Sequence, residues 1–232
     1  MDTRSATIER PAVPPAYAAC HGALAARLPR TLLLPRRRSR RRQVVYRAGQ
    51  PARSVFLVHS GVYKTTLPSD DGREQVTGFH LKGDVIGLEA LGEDAYRCNA
   101  AALDTGELIE VPCTLVFDPS SGLLEPVMQA LAETLQRDWQ WMMTLGTLDA
   151  EQRVAEFLLD LSRRQQALGY SPYRLLLRMT RADIGNYLGL ALESVTRVLS
   201  RLDEARILRV VCRDLEILDL PALQRLARPR LH

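Results

Sequence analysis

The sequence predicts an α+β protein: an N-terminal β-barrel, a long dimerisation helix and a C-terminal winged helix-turn-helix. Three patterns predict it. Short apolar runs alternate with turn residues from Val44 to about Val116, apolar residues then recur every three or four positions from about Leu123 to Leu148, and Thr180–Leu202 carries the signature of two crossed helices. The expected segments are a basic, Pro- and Arg-rich arm over 1–42, a sensor-like barrel over 43–122, the dimerisation helix over 123–148 and the winged helix-turn-helix over 149–232.

In the barrel region the runs are Val44–Tyr46, Val55–Val58, Val62–Leu67, Gln75–Leu81 and Leu108–Val111. Turn signals separate them at Ala48-Gly49, Ser60-Gly61, Asp70-Asp71-Gly72, Lys82-Gly83-Asp84 and Thr105-Gly106. Many short strands at close, regular spacing read as a barrel or sandwich.

The next region places Val127 or Met128, Leu131, Leu135, Trp139, Met142, Leu145 and Leu148 on one stripe of a helix of roughly seven turns. Such a helix outruns the edge of a small barrel. A second copy is its natural partner, in a parallel dimer. Residues 151–168 form another amphipathic helix with Val154, Phe157, Leu158 and Leu161 on one face, ending around Gly169.

Residues Thr180–Leu202 read TRADIGNYLGLALESVTRVLSRL. Thr180 is placed as an N-cap, with Asp183 three residues on as a capping-box-like partner. Ile184 and Leu188 face inward, small Gly185 lets the helices approach, Gly189 ends the first helix and Leu190 plugs the angle. The second helix starts near Leu192 and buries Val195, Val198, Leu199 and Leu202. That leaves Glu193, Ser194, Thr196 and Arg197 exposed at its leading end. Arginine can grip guanine, glutamate can accept from cytosine and threonine can touch a thymine methyl. Glu193 and Arg197 are also spaced for an ordinary surface ion pair. Arg181 is placed for a phosphate. Ile207–Val211 and Glu216–Leu218 flank Cys212-Arg213-Asp214 as a wing hairpin.

The chain has 232 residues and a formal net charge of +4, unevenly spread. Residues 1–42 carry ten basic and two acidic side chains, 43–148 seven and fourteen, and 149–232 fourteen and eleven. Basic ends around an acidic middle point to nucleic acid as the partner. The run Arg36–Arg42, broken only by Ser39, reads as a solvated arm or as an auxiliary contact to the DNA backbone. No apolar run approaches a membrane span and no secretory h-region is present, so the expected location is the cytoplasm. Cys20, Cys98, Cys113 and Cys212 are scattered without metal-ligand spacing. Nucleophile–base pairs and phosphate loops are absent, and an enzyme is not expected.

In the order barrel, long helix, winged helix-turn-helix, the chain resembles the CRP/FNR superfamily of bacterial regulators, and its FNR branch in particular. The stretches that carry the resemblance are Glu74–Asp84 (EQVTGFHLKGD), Ala150–Arg164 (AEQRVAEFLLDLSRR) and Met179–Leu190 (MTRADIGNYLGL). It implies a cyclic-nucleotide-binding-like barrel and a homodimeric transcriptional regulator that binds double-stranded DNA. The FNR branch reads TTGAT-type half-sites with an E-x-x-S-R pattern, here Glu193, Thr196 and Arg197. It also implies Leu67–Arg73 as a candidate surface for RNA polymerase.

The resemblance departs at the sensor. Only Cys20 remains of the N-terminal cysteines that help hold a [4Fe–4S] cluster, and Ile109 stands at the barrel cysteine position, so a cluster of the family type is not expected. Gly87 is followed by Leu88 where nucleotide-binding relatives place a glutamate, although Glu89 is adjacent and Arg97 lies near the expected arginine. No cofactor is predicted; cyclic nucleotide, and haem on His21, His59 or His80, stay open. The alternative to a DNA-binding regulator is a small-molecule or redox receptor whose helix-turn-helix is a protein-contact surface.

Overall fold

The computed structural model describes residues 34–228; the arm before them, with Cys20 and His21, lies outside the described residues. Eight strands open the chain: β1 Arg36–Ser39, β2 Val44–Tyr46, β3 Ser54–Ser60, β4 Tyr63–Pro68, β5 Glu74–His80, β6 Val85–Ile86, β7 Asn99–Ala102 and β8 Gly106–Pro112. They form two antiparallel sheets, ordered β1-β8-β3-β6 and β2-β7-β4-β5. The expected barrel is therefore not closed: it is a jelly-roll-like sandwich whose β5 is left as an edge. Phe56, Val58, Tyr63, Ile86 and Leu108 fill the space between the sheets. Tyr46 and Tyr96 stack beside them at 3.9 Å between ring centroids.

The arginine run differs from the expected arm. Arg36–Ser39 pairs with β8, Arg36 opposite Ile109 and Ser39 opposite Gly106. The ladder uses main-chain groups, and an edge strand tolerates charged side chains. Two contacts pin it: the Ser39 and Tyr63 hydroxyls lie 2.6 Å apart, and Arg37 donates to the Val45 carbonyl.

A short helix α1 (Cys113–Val116) leads to α2 (Leu124–Thr147). On α2, Pro126, Val127 and Trp141 are buried, whereas Met128, Leu135, Trp139, Met142 and Met143 are exposed. Most of the predicted apolar stripe is thus uncovered within one chain. Trp141, off that stripe, instead turns toward Phe157 of α3 (Ala150–Ala167). Asp149 and Gln152 cap α3 reciprocally, which holds the sharp bend between the two helices.

The remaining elements are β9 Arg174–Leu176, α4 Arg181–Leu188, α5 Leu192–Glu204, β10 Leu208–Val211, β11 Asp214–Ile217 and α6 Leu220–Leu226. The predicted wing is β10–β11, and β9 adds a third strand beside β11. One apolar cluster runs through α3, α4, α5 and the wing, and includes Val76 and Phe79 of β5. The edge of the sandwich and the helix-turn-helix thus share a core. Among the described residues, no helix is long and apolar enough to cross a membrane.

Candidate nucleic-acid interface

Thr180 begins α4 as its N-cap. Its hydroxyl oxygen accepts from the Asp183 amide at 3.0 Å and the Asp183 carboxylate accepts from the Thr180 amide at 2.9 Å. Gly185 is buried where α4 meets the turn, and a Cβ there would lie 2.6 Å from the Leu190 carbonyl oxygen. Gly189 takes the left-handed conformation that ends α4, φ 63°. Beyond the turn, α5 buries Val195, Val198, Leu199 and Leu202. The crossing of the two helices therefore follows from the residues expected to set it.

The leading turns of α5 project Glu193, Thr196 and Arg197 into solvent, with Ser194 half-buried between them. Among the described residues neither Glu193 nor Arg197 forms an ion pair, so the surface pair their spacing allows is not made. The Thr196 hydroxyl donates to the Leu192 carbonyl at 3.0 Å, a back-bond within the helix. Arg181, the first residue of α4, is half-buried, and one of its terminal nitrogens is shielded without a hydrogen-bond partner. Thr180 is occupied as a cap. Glu193, Thr196 and Arg197 are open to solvent, and Arg181 is half-buried.

Chain-wide comparison places the site in context. The Crp-like helix-turn-helix domain profile matches residues 152–226, and the cyclic nucleotide-binding domain profile matches 36–115. The chain is 36% identical over 198 residues to the transcriptional regulatory protein btr of Bordetella pertussis, covering 84% of this chain and 82% of btr. It is likewise 36% identical over 188 residues to the fumarate and nitrate reduction regulatory protein of Escherichia coli, covering 80% and 75%. The solved structure of FixK2 from Bradyrhizobium japonicum superposes with a TM-score of 0.77 at 30% identity, over 86% of this chain and all of that one. The chain belongs to the CRP/FNR family of transcriptional regulators. It is a DNA-binding regulator built on a cyclic-nucleotide-binding-like sandwich.

Within this CRP/FNR protein the sandwich meets the helix-turn-helix through contacts that the sequence reading missed. Asn186 of α4 grips the β5 edge. Its side-chain oxygen accepts from the Val76 amide at 2.5 Å and its side-chain nitrogen donates to the Glu74 carbonyl at 2.8 Å. The Gln75 side chain returns a bond to the Asn186 carbonyl at 2.6 Å. Lys64 of β4 pairs with Asp183 at 2.6 Å; burial opposes ionisation of that carboxyl, but Lys64 and Thr180 hold it below the usual range. Beside these contacts Tyr187 meets Trp141, Phe79 and Phe157 edge-on, at 4.9, 5.2 and 6.1 Å between centroids. Three other elements converge on that one ring of α4.

Deeper in the seam, the Arg164 guanidinium of α3 bonds both the Phe79 carbonyl and the Asp84 carboxylate. Arg137 of α2 lies 3.6 Å from the same carboxylate. Burial alone would raise the Asp84 pKa, but the two arginines outweigh it and hold the group ionised well below the ordinary range. A cavity of about 310 Å³ opens alongside, lined by His80, Glu89, Cys98, Arg137, Asp138 and Tyr187 among others.

No three His, Cys, Asp or Glu side chains gather as metal ligands among the described residues, and Ile109 is half-buried on β8. Burial and the neighbouring Glu89 push the Cys98 thiol up to about 11, which leaves little reactive thiolate at neutral pH. Arg97 points to the surface and pairs with Glu93 at 3.0 Å, while Glu89 accepts from the Tyr46 hydroxyl. Glu89 and Arg97 are thus each engaged with another side chain. His80 shares a hydrogen bond with Thr65 at 2.9 Å, and His59 lies 3.8 Å from Glu107.

Proposed function

We propose that the chain acts in the cytoplasm as a homodimer on a near-palindrome of FNR-like, TTGAT-type half-sites. Glu193, Thr196 and Arg197 of each α5 read the bases, and Arg181 takes a phosphate. One observation carries this reading: those three side chains are exposed at the leading end of the second helix, and among the described residues neither Glu193 nor Arg197 forms an ion pair. With its hydroxyl turned back to Leu192, Thr196 can offer its methyl group to a thymine while its oxygen can still accept a bond.

The exposed Leu135, Trp139 and Met142 side of α2 is the proposed dimer seam. Paired α2 helices would set two reading helices about one turn of DNA apart. A signal at the sandwich would act through β5 and Asn186 on the placement of α4. The exposed β4–β5 turn around Asp71 is the surface offered to RNA polymerase.

Fluorescence anisotropy on duplexes with and without the palindrome tests the reading. The expected result is specific binding at least a thousandfold tighter than non-specific binding, falling steeply with salt. Equal, salt-insensitive affinity for both duplexes would instead favour a protein-contact role for the helix-turn-helix. Sedimentation should give a dimer that Trp139→Glu with Met142→Glu converts to monomer.

A further inference from the structure

The arginine run does not end as a free arm. After β1 it makes a tight turn, Arg40-Arg41-Arg42, before β2. The Arg40 amide donates to the Gln43 side chain and the Gln43 amide returns to the Arg40 carbonyl, at 2.8 and 2.9 Å. The Arg42 amide donates to the Ala102 carbonyl of β7, and the Ala102 amide donates to the Gln43 carbonyl. Arg42 itself is held at φ 67°, a left-handed conformation that a long side chain adopts only when its surroundings impose it. The main chain of this turn is therefore fixed, while all three guanidinium groups are exposed.

Three neighbouring cations are committed elsewhere, while Arg38 of β1 is exposed. Arg36 pairs with Glu107, Arg37 with the β2 main chain and Arg178 with Asp104. Arg40, Arg41 and Arg42 have no acidic partner among the described residues. Nor do they sit on a uniformly basic surface, since residues 43–148 carry twice as many acidic as basic side chains. The turn extends the cationic edge of β1 on a domain that is otherwise acidic.

Its position gives the turn a use. Arg41 and Arg42 line a groove of about 340 Å³ together with Lys64, Arg178, Thr180 and Asp183. The groove thus runs from the sandwich turn to the start of α4. In a helix-turn-helix the first helix crosses the DNA backbone while the second enters the major groove. One end of this groove therefore lies at the start of the helix that, in such a motif, crosses the backbone. We propose that the Arg40–Arg42 turn is a second DNA-backbone contact, made by the sensor sandwich to phosphates flanking each half-site. The inference rests on the DNA-binding reading above and adds to it a contact outside the winged domain. It carries no base information, because guanidinium groups on phosphates position a duplex without reading it.

The test uses the full chain carrying Arg41→Gln with Arg42→Asn; asparagine tolerates the left-handed turn. Binding is titrated against salt on a palindrome with long flanks and on one trimmed at its edges. On the long duplex the variant should lose roughly 1.8 from the log–log salt slope per protomer, about 0.9 for each phosphate contact removed. Its ratio of specific to scrambled affinity should stay at the wild-type value. On the trimmed duplex variant and wild type should coincide, and Arg41→Lys with Arg42→Lys should restore the slope on the long one. A wild-type slope in the neutral variant, or a deficit that persists on the trimmed duplex, overturns the flanking contact. If wild type itself shows no salt-dependent binding, the DNA-binding reading fails with it, and the two failures are told apart.

Discussion

The face of α4 turned toward the sandwich and the leading turns of α5 lie close together in the chain but are used in opposite ways. On that face of α4 the Asp183 and Asn186 side chains are both committed. Asn186 bonds β5 through both side-chain atoms and its carbonyl, and Asp183 bonds both Lys64 and the Thr180 cap. On α5 Glu193 and Arg197 have no partner within the described residues. The first surface spends its hydrogen bonds on holding two domains in one arrangement; the second keeps them for a ligand. Substitutions in the seam should therefore move stability and domain placement, and substitutions on the reading face should move DNA affinity alone.

The largest effect is expected at Asp84. Replacing it with alanine leaves Arg164, which is 5% exposed at its side chain, with only Asp160 at 3.6 Å as an acidic neighbour, and removes the partner of Arg137. Breaking a buried pair on one side costs about 3–5 kcal/mol, so chemical denaturation should show a loss of that order. Arg164→Met in the same background should recover part of it, since it removes the more deeply buried of the two arginines left by Asp84. A variant as stable as wild type would mean that the seam is open to water.

Gly185→Ala comes next. Its new methyl would meet the Leu190 carbonyl oxygen, a main-chain atom that cannot swing aside. Overpacking of this kind costs about 1–3 kcal/mol and would spread α4 from α5, weakening binding to every duplex. Arg197→Ala should do the reverse. We expect a loss of about 1–3 kcal/mol on the cognate half-site, roughly ten- to a hundredfold, with an unchanged melting temperature. A lowered melting point with intact sequence preference would place Arg197 in the packing rather than on the reading face.

The helix-turn-helix was legible because its determinants are local. A cap, a small residue, a turn glycine and four apolar positions lie within one short stretch, and each has a steric or hydrogen-bonding reason to be there. The sandwich was legible where apolar runs were strong and obscure where they were weak. Strand β1 hides in an arginine run, β7 is mostly alanine, and β6 is too short to show a period. Barrel and sandwich were not told apart because turn spacing reports strand number, not whether the last strand meets the first. The seam left no signal at all. Lys64 with Asp183, Val76 with Asn186 and Asp84 with Arg164 are far apart in the chain, and each alone looks like an ordinary surface residue.

The smallest effect separates seam from reading face by pH. His80 lies in the seam cavity, and burial pushes its pKa down to about 3; Asp84 opposes that shift while Arg137 and Arg164 add to it. An unfolded histidine titrates near 6.5, so below that pH the unfolded chain binds a proton that the folded one refuses. Stability is then complete above about pH 6.5 and falls as the solution is acidified toward the folded value. Asp84, held below the ordinary carboxylate range, acts in the same direction but only below about pH 4. Between pH 7 and 6 the His80 contribution is under ~1 kcal/mol, and it grows toward pH 4.5. His80→Gln, which keeps a donor for Thr65 and cannot titrate, should flatten the denaturation free energy over that window and preserve the steeper loss below it. The same slope in variant and wild type would show that the ring is solvated and the cavity open. A change in DNA sequence preference instead would mean that the cavity and α5 are coupled more directly than through Asn186 and Tyr187.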